Sequence, residues 1–339
     1  MPDPTVGDLS ERALVARIQA RLTPPGPFVQ VGIGDDAAVV EAPRNRLEVV
    51  TTDAVIDGVH FDLRYTPPDA IGHRALAVNL SDLAAMGASP RMALLSLMLP
   101  PALPLAVFDG LIDGVSALAA AHRVSVVGGN LASTPGPLTV DVVAIGVVKP
   151  RGALLRSGAR VGDDVYLTGS VGGAAAGLAM VTAQSAPTDE ACIARYLRPT
   201  PRVRVGELLG RNRAATSCID LSDGLADALE RIAEASGVGI TVRADAIPME
   251  PGARTWSQAH GRHPLSACWA GDDYELLFTA SPRRRGRLAA VAAQGGIALT
   301  RIGTCTEAAG LRLDTGAVLQ DGTALQDGAL PHGFSHFAC

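Results

Sequence analysis

The chain has 339 residues, 47% of them hydrophobic but only 4% aromatic, and a net charge of −5 from 29 basic and 34 acidic side chains. That length predicts two domains with aliphatic cores, and the mild acidity argues against nucleic acid as a main partner. No apolar run reaches the roughly 20 residues that cross a bilayer, and Met1-Pro2-Asp3-Pro4 opens no signal-peptide pattern, so a cytoplasmic protein without a membrane partner is expected.

In chain order, a first amphipathic helix is predicted over 8–22, with Ser10 as its cap and Pro24-Pro25 as its stop. A strand at 47–52 ends on Asp53, and a helix over 68–87 opens at Pro67-Pro68, closes at Gly87 and carries Asp82. A strand at 91–99, a helix at 104–122 and a strand at 123–127 follow, the last stopping at Gly128-Gly129-Asn130. A further strand covers 138–148, and Pro150-Arg151-Gly152 marks a boundary between domains 1–150 and 151–339.

The second half begins with a turn at 160–164 and the strand Val165-Tyr166-Leu167. Thr168-Gly169-Ser170-Val171-Gly172-Gly173 leads into an Ala-rich helix, and Pro199-Thr200-Pro201 separates two more helices. A strand at 216–219 delivers Asp220, and a helix over 222–236 follows with Ser222 as its cap. A strand at 275–279, a helix at 283–294 and a strand at 298–303 complete the pattern. Strands alternate with helices in both halves, which gives an α+β or α/β class.

Five acidic motifs stand out: Gly34-Asp35-Asp36, Thr51-Thr52-Asp53, Asn79-Leu80-Ser81-Asp82, Asp220-Leu221-Ser222-Asp223-Gly224 and Gly271-Asp272-Asp273-Tyr274-Glu275. Most fall where an apolar run stops or a helix begins. Converging carboxylates are costly unless cations neutralise them, and Mg²⁺ is the usual cation beside nucleotide phosphates. Together they predict an ATP–Mg²⁺ enzyme. Each motif also has a plainer reading. Ser222 and Asp223 suit a helix start without any ligand, Gly34-Asp35-Asp36 suits a turn, and a lone His60 is more often structural. Asp82 on an apolar helical stretch is harder to explain that way. The 168–173 segment is read either as a phosphate cradle or as tight strand-to-helix packing, since it lacks the Lys-Ser/Thr ending of a P-loop. The cysteines Cys192, Cys218, Cys268, Cys305 and Cys339 form no CxxC pair, so reduced thiols are expected.

Gly32-Ile33-Gly34-Asp35-Asp36, Ala75 through Ala88, Ile219 through Leu225 and Asp273-Tyr274-Glu275-Leu276, in this order, resemble the thiamine-monophosphate kinase family. That family lies in the superfamily of aminoimidazole-ribonucleotide synthetase, selenophosphate synthetase and HypE. The resemblance runs from about residue 8 to the end. It implies a two-domain PurM-like fold of α+β (α/β-type) class. The N-terminal domain would bind ATP and metal and pair into a dimeric barrel-like core. The C-terminal domain would complete a cleft where ATP meets thiamine monophosphate, giving ADP and thiamine diphosphate. By motif, the implied magnesium ligands are Asp36, Thr51, Thr52, Asp53, Asp82, Asp220 and Asp223, with Asp220 acting electrostatically in catalysis. The implied nucleotide contacts are Gly129, Asn130, Arg156 and Ser222, and the substrate contacts are His60, Asp272 and Phe334.

Three positions depart from the family pattern. Asn130 stands where Gly-Gly-Asp is common, and so brings a carbonyl oxygen without charge. Asp272 stands for a common Glu and reaches one methylene less far. Phe334 stands for Tyr or Trp and keeps ring stacking without a hydroxyl hydrogen bond. Two rivals follow: another ATP-using enzyme of the superfamily, such as an amidine ring-closing synthase, and a non-enzymatic metal-binding protein. The chain lacks the Cys-bearing N-terminal extension of the selenophosphate branch, and its ending His336-Phe337-Ala338-Cys339 is not the Pro-Arg-Ile-Cys type of HypE.

Overall fold

A computed structural model describes residues 3–183, 188–269 and 271–314. The chain divides into two compact units, Met1–Leu83 with Ser89–Pro150, and Ala84–Ala88 with Arg151–Cys339.

The first unit holds α1 (Glu11–Arg21), β1 (Val29–Val31), β2 (Val39–Val40), β3 (Leu47–Ile56), most of α2 (Pro68–Ala85), β4 (Ser89–Leu99), α3 (Leu105–His122), β5 (Ser125–Ser133) and β6 (Thr139–Val148). Its main sheet runs β3-β6-β4-β5, with β4 and β5 parallel and the other pairs antiparallel. Strand alternation sorts the side chains of β6. Val140, Val142, Ala144 and Val148 are buried, while Asp141, Val143, Ile145 and Val147 on the other face stay half-exposed. In α2, Ile71, Leu76, Leu80 and Leu83 are fully buried. Two glycines let α3 lie against α2 backbone to backbone. A Cβ on Gly72 would stand 1.9 Å from the Leu111 carbonyl oxygen, and one on Gly114 would stand 2.0 Å from that of Asp69. The 18-residue α3 is long and apolar enough to cross a membrane by composition, yet its Phe108, Leu111 and Ile112 are fully buried in the protein's own core.

The second unit holds β7 (Asp164–Thr168), α4 (Gly173–Ala183), α5 (Glu190–Leu197), α6 (Val203–Arg211), β8 (Ser217–Asp220), α7 (Leu225–Ser236), β9 (Gly239–Arg243), α8 (Pro251–Ala259), β10 (Leu276–Ala280), α9 (Arg285–Gly295), β11 (Leu299–Thr306) and β12 (Leu311–Asp314). Its sheet runs β12-β9-β11-β7-β10-β8, antiparallel except for β12 on β9. Leu167, Ile219 and Leu277 of the sheet pack with Leu225, Leu229 and Ile232 of α7 in one core. A smaller cluster joins Ala176 and Met180 of α4 to Cys192 of α5 and to Ala253 and Trp256 of α8.

Several boundaries differ from the sequence reading. β3 continues through Asp53 to Ile56, and β5 continues through Gly128, Gly129 and Asn130 to Ser133, because the paired strands β6 and β4 extend that far. The helix expected at 222–236 starts at Leu225, with Gly224 at its cap and φ at +97°. Ser222 therefore does not cap it; its hydroxyl donates instead to Asp223 at 3.3 Å. The four cysteines described are free and buried, and burial pushes the thiols of Cys192 and Cys305 up to about 12. Phe334 and Cys339 lie outside the described residues.

Candidate active site

In the first unit, β3 and α2 bring three of the sequence-predicted residues close together. Thr51 pairs with buried Ala144 and Asp53 with buried Val142, so both side chains leave the sheet on the same face, Thr51 half-buried and Asp53 exposed. The Thr51 hydroxyl donates to Asp82 Oδ2 on α2. One helical turn before Asp82, Asn79 is fully buried. Its Nδ2 donates to the carbonyl oxygens of Asp53 at 3.3 Å and Ala75 at 3.0 Å. Two carbonyl partners fix which end of the amide is the donor. Asn79 Oδ1 is buried without a hydrogen-bond partner among the described residues.

Thr52 points the other way. It shares the opposite face with Asp141, and its hydroxyl donates to Asp141 Oδ1 at 3.0 Å. The predicted pair Thr51 and Thr52 is thus split across the sheet, as alternation requires. Gly129 and Asn130 lie on β5, at the far edge of the same sheet. Asp36 is exposed in the loop between β1 and β2, where its amide donates to Asp35 Oδ1 at 2.9 Å. His60 follows β3, and its Nδ1 accepts from the Ile56 amide at 3.1 Å. In the neutral ring that bond leaves Nε2 as the proton-bearing nitrogen.

In the second unit, Asp220 ends β8 and is buried, opposite Leu276 of β10. The pairing continues past the strand end: Leu221 N donates to the Glu275 carbonyl at 2.9 Å, and Tyr274 N to the Leu221 carbonyl at 3.0 Å. This ladder links the Asp220 motif to the Asp272 motif. Asp272 is half-buried, and the acids after it turn inward. Asp273 accepts from the amides of Gly172 at 2.6 Å and Ala174 at 2.9 Å. Burial pushes its carboxyl up to about 6, against the pull of those two bonds. Two amides at the start of α4, those of Gly172 and Ala174, are therefore taken by the chain's own carboxylate, which favours reading the 168–173 segment as a strand-to-helix joint. Glu275, with no exposure, accepts from Thr168 Oγ1 at 2.6 Å, Arg202 Nε at 2.7 Å and Arg195 at 3.2 Å. Arg195 also meets Glu250 at 3.0 Å. Arg156 is exposed, and its carbonyl accepts from the Ser236 hydroxyl at 3.2 Å.

Sequence reasoning did not assign roles to Asn79, Asp141, Asp273, Glu275, Arg195 or Arg202. Asn79, Asp273 and Glu275 were within the motifs; Asp141 was hidden in a strand run, and the arginines carry no local signal. Among the described residues, no group of three or more His, Cys, Asp or Glu is arranged to hold a metal ion. Within the first unit the donor chemistry nonetheless suits a hard cation, since the hydroxyl of Thr51 and the carboxylates of Asp53 and Asp82 offer only oxygen.

The chain matches two family descriptions, "AIR synthase related protein, N-terminal domain" over residues 34–148 and "AIR synthase related protein, C-terminal domain" over residues 160–315. It is 38% identical over 288 residues to the thiamine-monophosphate kinase of Bacillus subtilis, covering 82% of this chain and 86% of that one. It superposes on the crystal structure of thiamine-monophosphate kinase from Stenotrophomonas maltophilia with a TM-score of 0.80 at 38% identity, covering 91% and 98% of the two chains. A second structure, AaThiL complexed with AMPPCP and TMP, gives a TM-score of 0.75 at 29% identity over 99% of this chain and 100% of that one. The chain belongs to the AIR synthase related family and has its two-domain PurM-like fold; within it, the chain is a member of the thiamine-monophosphate kinases.

Proposed function

We propose that this protein transfers the terminal phosphoryl group of ATP directly to thiamine monophosphate, giving thiamine diphosphate and ADP. The observation that carries the reading is the likeness, over 99% of this chain, to a kinase structure holding AMPPCP and TMP. The acceptor is a phosphate oxygen already anionic near neutral pH, so the reaction needs no strong general base. The barrier is the approach of two polyanions, and Mg²⁺ supplies the screening and charge stabilisation.

In this reading Asp36, Thr51, Thr52, Asp53, Asp82, Asp220 and Asp223 hold magnesium, with Asp220 the main electrostatic contributor. Gly129, Asn130, Arg156 and Ser222 hold ATP, Arg156 supplying a fixed positive charge. His60, Asp272 and Phe334 hold the acceptor. Residues 1–150 carry metal, nucleotide and dimer contacts, and 151–339 complete the chemistry. Because Asp273 and Glu275 are anchored inward on either side of Tyr274, the backbone presenting Asp272 is held firmly.

The protein works as a cytoplasmic homodimer in this account. Thr52 and Asn130 sit on opposite edge strands of one sheet, three strand spacings or about 14 Å apart. One chain cannot bring both to a single ion, whereas a second copy laying its β5 edge beside β3 does. The half-exposed face with Val143, Ile145 and Val147 gives that copy an apolar surface to cover.

The test is an ATP-consumption assay with products identified by mass, comparing thiamine monophosphate, free thiamine and formylglycinamidine ribonucleotide. Thiamine diphosphate formed only from the monophosphate supports the reading. Activity on free thiamine alone, or ring closure of the ribonucleotide, overturns it.

A further inference from the structure

The backbone around Asp220 is tied to a buried polar hub on β7 and β10. In the β8–β10 register Asp220 lies opposite Leu276. On the other edge of β10, the register with β7 ends where Leu277 meets Leu167. One residue further along β7, the Thr168 hydroxyl accepts from the Leu276 amide at 2.8 Å and donates to Glu275 Oε2 at 2.6 Å. The residue after Asp220, Leu221, donates its amide to the Glu275 carbonyl at 2.9 Å and accepts from the Tyr274 amide at 3.0 Å. Tyr274 takes that place with φ at +51°, a left-handed conformation rare for a bulky residue.

Thr168 and Glu275 have no exposure. Arg202 reaches the Glu275 carboxylate with two nitrogens, and Arg195 adds a contact at 3.2 Å. Gly169 leaves room for this group, since its φ is +56° and a Cβ there would collide with the carboxylate. Stability alone explains such a hub poorly, because a buried ion pair seldom outdoes apolar packing of the same shape. A satisfied polar network does fix geometry. What it fixes here is the strand pair whose end presents Asp220.

We propose that Thr168 and Glu275 are positioning residues for phosphoryl transfer: by holding Leu276 and Leu221 they set the place of the Asp220 carboxylate, without touching substrate or metal themselves. The inference rests on the reading of Asp220 as a magnesium ligand and adds the residues that aim it.

The experiment is a double-mutant cycle on the full-length protein, combining Thr168→Val with Asp220→Asn. Turnover is measured at saturating substrates, and Mn²⁺ affinity is measured by titrating Mn²⁺ alone and following the free ion by electron paramagnetic resonance. Thr168→Val keeps the shape and deletes the hydroxyl, and is expected to lower both turnover and Mn²⁺ affinity by at least about tenfold, as loss of a group that orients a metal ligand does. Thr168→Ser restores the hydroxyl and should keep both within about twofold of wild type, even where its melting temperature falls. In the Asp220→Asn background, Thr168→Val should change turnover by no more than about twofold, because the group it aims is already neutral. Arg202→Lys, which keeps the charge and loses the two-nitrogen grip, carries the same cycle if Thr168→Val does not fold. Wild-type turnover in the folded variant, or losses that multiply in the Asp220→Asn background, overturn the proposal and leave the kinase assignment standing. Wild-type turnover in Asp220→Asn itself overturns the underlying role of Asp220 and this proposal with it.

Discussion

The hydroxyl of Thr51 on β3 is hydrogen-bonded to the carboxylate of Asp82 on α2, which fixes a strand and a helix around one acidic group. Asn79 adds a second tie from the same helix to the Asp53 carbonyl. Together they hold the backbone of the Thr51-Thr52-Asp53 motif in register with Asp82.

Thr51→Val keeps the shape of the side chain and deletes the donor. Turnover is expected to fall about tenfold while stability changes by about 1 kcal/mol, the usual worth of one hydrogen bond. Steady-state kinetics and urea melts on the same preparation check it. A loss of stability without a loss of turnover would make the bond purely structural.

Asp220→Asn removes charge at the buried end of β8. A drop in turnover of at least about 10²-fold is expected, in keeping with lost electrostatic stabilisation of phosphoryl transfer. An unchanged rate at saturating Mg²⁺ removes Asp220 from the mechanism.

Asp273 gives the protein an acid-side stability signature. Its folded carboxyl is raised from 3.8 to about 6 by burial. The folded state therefore binds the proton more tightly than the unfolded state. The group's contribution to stability is fully present below the unfolded value and is lost as pH rises from 3.8 through about 6. Wild type should gain stability relative to Asp273→Asn as pH falls from 7 to 5. At neutral pH the variant should still be destabilised by about 1–3 kcal/mol, because its amide turns a donor toward one of the two backbone amides. Parallel stability profiles for the two proteins across this range would contradict the assignment.

Two boundaries depart from the local residue pattern for physical reasons. Asp53 and the Gly128-Gly129-Asn130 run look like strand ends, since Asp, Gly and Asn disfavour sheets. Each lies inside a strand because ten-residue β6 and eleven-residue β4 supply partners along the whole length. Ser222 looks like a cap by residue type, but Gly224 turns the chain with a positive φ, and the Leu225 amide is taken by the Cys268 carbonyl, 43 residues on in sequence. No local pattern announces such a partner. The helices α1 and α2 were legible because their caps and stops are local, with Ser10 accepting from the Ala13 amide at 3.3 Å. The acidic motifs were legible as chemistry. Which acids turn inward was not, because Asp273 and Glu275 find their partners on α4, α5 and the turn before α6.

Arg202 and Glu275 should couple strongly. Glu275 is fully buried and Arg202 reaches it with two nitrogens. Glu275→Ala leaves two guanidinium groups short of a partner and is expected to cost about 3–5 kcal/mol. A double-mutant cycle with Arg202→Ala should return a coupling of at least about 1 kcal/mol. Additive effects would show that the pair contributes little beyond packing.

If Thr52 of one chain works with Asn130 of another, two inactive variants should rescue each other. Thr52→Arg and Asn130→Arg, mixed after reversible unfolding, are expected to recover about a quarter of wild-type activity, since random pairing gives half heterodimers with one intact site each. A mixture that stays inactive while forming dimers contradicts the shared-site arrangement.

The most direct measurement of the central claim is a single turnover with ATP labelled at its terminal phosphate and excess thiamine monophosphate, quenched in acid. Direct transfer predicts that label passes from ATP to thiamine diphosphate with none bound to protein at any time. Label trapped on the protein, or released as inorganic phosphate without thiamine diphosphate, would contradict it.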